Sequence, residues 1–356
     1  MSEERNITVN KLPSPTFRWL GMNSALLPVP EKLKEGKSIL KDTEELSTSE
    51  TDYTAMRNIA GGMGEELDRM AEESGIPVRE FRIGAGISKK DALCIGLHYG
   101  EGEQALNLFS IRAEEGSELT IFMDFSSEKA GYAGVQTKLS IEKGARVRLI
   151  QVQRLGEDFC FFHDIGAKTG EGAEFDEREI LLSGRQSFHG IRTDLSGRES
   201  RFESAIGYLL KKEERLDINL IANHIGEKTE SRIDSDGVLR DHAFKLFRGT
   251  IDLRKGAKGA VGNEMETVLL MNDTVVNQTV PVILCDEEDV EGNHGASIGR
   301  LDEDMLFYMQ SRGMEREAVY EMMADAKIDA VINGISDEKL REQVKSYRRR
   351  EDEEAV

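Results

Sequence analysis

Gly116-Ser117-Glu118-Leu119-Thr120-Ile121-Phe122-Met123-Asp124-Phe125 decides how the middle of this chain folds. Leu119, Ile121, Met123 and Phe125 alternate with Glu118, Thr120 and Asp124. That is the period of a strand with one face inward and one toward water. Phe122 alone breaks it. The leading glycine recurs: Gly116, Gly144, Gly172, Gly197, Gly226 and Gly256 are spaced by 28, 28, 25, 29 and 30 residues. Similar runs follow, as in Ala145, Val147 and Leu149, in Ser200, Phe202, Ser204, Ile206 and Tyr208, and in Thr229, Ser231, Ile233 and Ser235. A repeat of this length, rich in strands and nearly free of helix signal, predicts a parallel β-helix, a solenoid of stacked coils. Glycine suits a corner where φ turns positive. Serine and threonine on the inward face suit a narrow bore. An antiparallel sandwich with evenly spaced hairpins gives similar spacing and stays open at this point. The six-residue period of hexapeptide-repeat acyltransferases is absent.

On either side of the repeat the pattern changes. Residues 1–80 read as a polar, helical region, with a helix from Thr51 to Glu73 that is interrupted or ended near Gly61-Gly62-Met63-Gly64. Leu12-Pro13-Ser14-Pro15-Thr16 reads as extended, because proline pushes its predecessor out of the helical region. Phe17 and Trp19 are expected to dock onto another element. In 300–356, Asp302 is placed to cap a helix reaching Gln310, with Glu303 and Asp304 in its first turn and Gly313 just past its end. A second helix runs from about Glu315 to Ile332, where Ala318, Met322 and Ala326 share one face. A third begins near Ser336. The expected fold is thus mainly β, a parallel β-helix core (81–299) flanked by helical N-terminal (1–80) and C-terminal (300–356) regions.

The 356 residues carry a formal charge of -20, with an isoelectric point near 4.9. That balance argues against nucleic acid, whose phosphates need an excess of Lys and Arg. Lys211-Lys212 runs into Glu213-Glu214, and Arg348-Arg349-Arg350 into Glu351-Asp352-Glu353-Glu354. The three cysteines, Cys94, Cys160 and Cys285, are scattered and make no disulfide framework. With no basic start, no signal-like apolar block and no apolar run long enough for a membrane span, the expectation is a soluble, cytoplasmic protein.

Few residues qualify for chemistry. His98, His163, His189, His224 and His242 sit in or beside strand-like runs without a second ligand at metal spacing, and read as structural or surface histidines. His294 differs, lying on a Gly-Asn-His-Gly segment read as a turn between the strands and the helices. As a metal ligand it needs partners from a second chain. Cys285, followed by Asp286-Glu287-Glu288-Asp289, reads as buried and inert, since nearby carboxylates disfavour the thiolate. Cys94 and Cys160 read as core. There is no phosphate loop, so no nucleotide is expected on this chain. The abundant acidic residues leave one enzymatic alternative, a β-helix polysaccharide lyase or hydrolase, although no carboxylate pair stands out.

Phe247-Arg248-Gly249-Thr250-Ile251, Leu269-Leu270-Met271-Asn272, Pro281, Asp289-Val290, His294-Gly295-Ala296-Ser297, Leu306-Phe307-Tyr308 and Ser311-Arg312-Gly313 resemble the SufB/SufD family, the scaffold subunits of the SUF iron–sulfur cluster assembly system. The N-terminal Leu12-Pro13-x-Pro15-Thr16-Phe17-Arg18-Trp19-Leu20 is similar to a segment of SufD-type members. The resemblance implies a β-helix that pairs with a SufB-like subunit or a second copy of itself. It also implies C-terminal helices that hold a SufC-like ABC ATPase, and an iron–sulfur cluster built transiently at the subunit interface. The scaffold itself is then non-catalytic. SufB-type members carry a glutamate directly after the motif histidine, where this chain has Gly295, so the resemblance is to the SufD type. It assigns the metal role to His294; the cysteine of the SufD-type motif is absent here. ATPase docking falls to 300–356, with Met305, Leu306, Phe307, Tyr308, Met309 and Arg312 as contacts, since aromatic and Met side chains suit interfaces.

Overall fold

In the computed structural model, which describes residues 5–14 and 18–354, the alternating runs pair as parallel strands in two sheets. Successive strands go to opposite sheets, so each coil gives one strand to the first sheet and one to the second. The early coils are Val78–Ile83 with Leu93–Tyr99, Gln104–Ala113 with Glu118–Ser127, Ala130–Ile141 with Arg146–Arg154, and Asp158–Thr169 with Glu174–Ser183. Then come Gln186–Leu195 with Arg201–Leu210, Arg215–His224 with Glu230–Leu239, Phe244–Leu253 with Ala260–Leu270, and Val276–Cys285 with Val290–Gly299. Leu119 lies beside Val147, Val147 beside Phe175, and Phe175 beside Phe202. The alternation has become columns of side chains along a filled bore. The chain is the mainly β parallel solenoid that the repeat predicts, and the parallel strand direction rules out the sandwich.

The repeating glycines do two jobs. Gly116, Gly144 and Gly172 turn the corner at φ 65°, 64° and 61°. In the next two coils that corner falls on Glu199 at φ 60° and Lys228 at φ 53°, and the N–H of Gly172 and of Glu199 each bond to the coil above. Gly197 is required instead by contact, because a Cβ there would lie 2.0 Å from the carbonyl carbon of Gly170.

Residues 1–80 depart from the helical expectation. Five short strands come first, and the only α-helix of that region among the described residues is α1 (Glu65–Glu73). Ser38–Lys41 and Leu46–Thr51 add antiparallel to the first strand of each sheet, which covers the edges of the first coil. Elsewhere the segment lies along the outer face of the first sheet, where Ile7, Val9, Leu27 and Val29 join Leu67 of α1 over Leu106, Leu108 and Phe162. Gly61 and Gly62 do not end a helix. A Cβ on Gly62 would lie 2.1 Å from the backbone nitrogen of Ile191, so these glycines let the chain lie flat on the sheet. Trp19, on the excursion between Arg5–Val9 and Ala25–Val29, is fully exposed rather than docked. Phe17 lies outside the described residues.

Three helices, α2 (Glu303–Ser311), α3 (Arg316–Asn333) and α4 (Glu338–Glu354), return along the outer face of the second sheet. Asp302 caps α2 through the N–H groups of Asp304 and Met305. Phe122 now has its explanation. It faces outward, yet it is buried in a cluster with Ile150, Ile180, Ile328, Val331 and Leu340. The face of α3 that packs is Val319, Tyr320, Ala324, Ile328, Val331 and Ile332. Ala318, Met322 and Ala326 point to solvent. Both faces carry apolar residues four apart, and the sheet selects the bulkier set. No described helix is long and apolar enough to cross a membrane.

The two ends of the solenoid therefore differ. At the C-terminal end, Val276–Cys285 and Val290–Gly299 are the outermost strands of their sheets, and no described strand pairs with their outer edges.

Candidate functional site

His294 is not on a turn. It lies in the middle of Val290–Gly299, with Glu264 as its register partner on Ala260–Leu270. The segment reads as a turn because of Gly292 and Gly295, but each glycine meets a side chain of the sheet instead. A Cβ on Gly292 would lie 3.1 Å from Ile283, and one on Gly295 would lie 2.8 Å from Met265. Asn293, next in the strand, donates from Nδ2 to Asn263 Oδ1 at 3.1 Å on the outer face. The pleat then turns His294 inward, over the column that runs Ile233, Glu264, His294. With no described coil above it, the imidazole is exposed at the mouth of the bore.

Beneath it lies a polar group that the alternation reads merely as acidic. Along Ala260–Leu270 the buried positions include Gly262, Glu264, Glu266 and Val268, while Met265 is exposed. Glu266 is fully held. It accepts from Lys245 Nζ, from Thr279 Oγ1 at 2.6 Å and from Tyr208 Oη at 3.4 Å. Burial pulls the Lys245 ammonium below the usual lysine range, against the opposing pull of Glu266. Glu264 is 5% exposed, and its Oε2 has no hydrogen-bond partner. Burial, and then the neighbouring Glu266, push its carboxyl up to about 7. The carboxylate crosses to the first sheet, where its atoms occupy the space 2.4 Å from where a Gly249 Cβ would sit. The signal for this group was present in the sequence, as charge at the inward parity of a strand and an apolar Met265 at the outward one.

Deeper in the bore the polar side chains pair with one another in part, while Gln151 Oε1, His163 Nδ1 and Glu179 Oε2 have no hydrogen-bond partner. Glu177 accepts from Gln151 Nε2 at 2.9 Å and Ser204 Oγ at 2.6 Å. Glu179 Oε1 lies 2.8 Å from His189 Nδ1. Burial raises the Glu177 carboxyl and lowers the His163 imidazole, both well away from their usual ranges. His163, His189 and His224 are thus interior residues, while His98 and His242 are exposed. Among the described residues no three His, Cys, Asp or Glu side chains converge as a metal site.

Cys285 is exposed, not buried, because it ends the outermost strand; its Sγ donates to the Glu287 carbonyl at 3.1 Å. Cys94 and Cys160 are half-buried. Of the C-terminal contacts, Leu306 packs with Val238, Leu269 and Val319 and is 1% exposed. Met309 is half-buried against the same cluster. Met305, Phe307 and Tyr308 are 42%, 74% and 54% exposed. The exposed Arg312 lies over the Tyr308 ring at 5.1 Å. Leu306 is therefore a core residue, and the free apolar surface belongs to its neighbours.

Residues 98–327 match the SufBD core domain of SUF system FeS cluster assembly. The chain is similar to the iron–sulfur cluster assembly protein SufD of Bacillus subtilis, 30% identical over 176 residues, 49% of this chain and 37% of that one. It is 25% identical to SufD of Escherichia coli over 232 residues, 65% of this chain and 55% of that one. A chloroplastic SufBD family protein of Arabidopsis thaliana is 29% identical over 204 residues, 55% of this chain and 37% of that one. The chain spans roughly a third to a half of the length of these relatives. Its core match, its stacked parallel coils and its motif residues together make it a member of the SufB/SufD family, of the SufD type.

Proposed function

We propose that this chain is a non-catalytic scaffold subunit in iron–sulfur cluster assembly. Its last coil pairs with a SufB-like subunit or a second copy of itself, and His294 meets the nascent cluster at that junction. The observation that carries this reading is the contrast between the two ends of the solenoid. The first coil is covered by antiparallel strands, whereas the last presents two open strand edges with the motif histidine between them. An uncovered parallel edge is a template for another chain. A single exposed imidazole also suits a site whose remaining ligands come from across an interface.

The same proposal assigns docking of a SufC-like ATPase to 300–356, through Met305, Phe307, Tyr308, Met309 and Arg312. The exposed aromatic and Met side chains of α2 support it, since such residues anchor interfaces. The iron and sulfide are cargo held transiently, and nucleotide turnover belongs to the partner.

Anaerobic co-expression with the ATPase and SufB-like subunits tests the whole reading. The wild-type complex is expected to co-purify with iron and sulfide. His294→Ala is expected to leave the complex assembled but depleted of both. Failure of the subunits to co-purify, or full iron and sulfide in the variant complex, would overturn it.

A further inference from the structure

Glu264 combines four properties that a packing residue does not need. Its Oε2 is buried without a partner. Its neighbour Glu266 takes the buried Lys245, Thr279 and Tyr208 contacts, so Glu264 is the carboxylate left over. It is the register partner of the exposed His294 on the adjacent strand, about 5 Å away at strand spacing. Across the bore, Gly249 supplies the room that its carboxylate fills. Gly249 belongs to the Phe247-Arg248-Gly249-Thr250-Ile251 stretch, which the proposed role of His294 leaves unexplained.

We propose that Glu264 and His294 together bind a ferrous ion at the mouth of the bore, Glu264 supplying a carboxylate oxygen and His294 an imidazole nitrogen. The proposal rests on the scaffold reading above and makes it more specific: the chain takes iron as the bare divalent ion, by nitrogen and oxygen, before any cluster exists. A hard oxygen donor beside an imidazole suits ferrous iron, whereas thiolates would select a finished cluster. The bore behind Glu264 is closed by Ile233, Ile206 and Phe247, all buried. The ion can therefore be reached only from the uncovered end, where a partner would supply the remaining ligands. The Lys245–Glu266 pair lies beside the site in the same coil, Glu266 two residues along the strand from Glu264, and does not join it.

Anaerobic titration of the full-length chain with ferrous iron, and in parallel with Co(II) as a spectroscopic stand-in, tests this. Wild type should take up one equivalent and show visible Co(II) bands. Glu264→Gln should weaken both ions at least tenfold, as should His294→Ala. Gly249→Ala should also weaken binding, because its methyl displaces the Glu264 carboxylate while leaving the charge in place. Thermal melts of each variant confirm that the fold is retained. Wild type that binds no ion, or Glu264→Gln that binds like wild type while His294→Ala does not, overturns the Glu264 role and leaves the scaffold reading to the co-expression test. If His294→Ala also binds like wild type, the joint site falls together with the metal role of His294.

Discussion

Arg248 Nη1 lies 2.6 Å from Asp217 Oδ1 on the outer face of the first sheet, and the same oxygen accepts from Asn10 Nδ2 at 2.6 Å. Arg248 Nε donates to the Met22 carbonyl at 2.7 Å. One fully buried guanidinium thus clips the N-terminal segment at two places to the sixth and seventh coils. Removing one partner of a buried pair strands the other charge, which costs about 3–5 kcal/mol. Asp217→Ala should lose about that much in urea unfolding, and residues near 10–25 should become the first site of limited proteolysis. An Asp217→Ala protein with unchanged stability and protease pattern would show that the segment is held by apolar contacts alone.

Leu306 and Phe307 are adjacent in sequence and opposite in role. Leu306→Ala removes a buried side chain of the cluster under α2 and should cost about 2–5 kcal/mol. Phe307→Ser changes a side chain that is 74% exposed and should alter stability by no more than about 0.5 kcal/mol. If α2 docks the ATPase, Phe307→Ser should nevertheless weaken the affinity for that subunit at least tenfold, as read by calorimetry. Equal affinity for both forms would remove Phe307 from the interface.

The interior of this molecule was legible from period-two patterning because a solenoid turns the sequence directly into columns. The coverings were not. Phe122 interrupts its strand only because α3 and α4 need an apolar outer face to lie on, a relationship between residues some 200 positions apart. The N-terminal segment read as helical, yet its strands take their hydrogen bonds and apolar contacts from sheets formed later in the chain. His294 was read on a turn and lies in a strand, since the glycines beside it serve close packing against Ile283 and Met265 and not a turn. Glu264 was missed because a carboxylate at an inward parity is hidden in a chain with 67 acidic residues.

His224 links stability to pH. Its buried ring bridges Thr229 Oγ1 and Ser231 Oγ, each at 2.8 Å, and burial lowers its pKa from the ordinary 6.5 to about 4. The unfolded chain takes up a proton near 6.5 and the folded chain only near 4. The stability this group contributes is therefore present above pH 6.5 and is lost as pH falls toward 4. His224→Gln should be the less stable protein at pH 7.5. The gap should shrink by about 2.5 kcal/mol at pH 4.5, judged from one pKa unit being worth about 1.4 kcal/mol. A gap that stays constant with pH would mean the imidazole is not held neutral in the folded state.

Ile298 occupies the inward parity of the outermost strand, in the column of Tyr208 and Val268, and is 42% exposed. A charged side chain turned inward on an edge strand is a device that blocks pairing with a further strand. Ile298→Lys can keep its ammonium in water at the open mouth, so the melting temperature should change by no more than about 2 °C. Association through the last coil should be lost, because a partner coil stacked there would bury the ammonium without a counter-ion. Light scattering of the chain alone reads this for a second copy, and co-purification reads it for a SufB-like subunit. An Ile298→Lys chain that still associates with both would move the interface away from the open end of the solenoid.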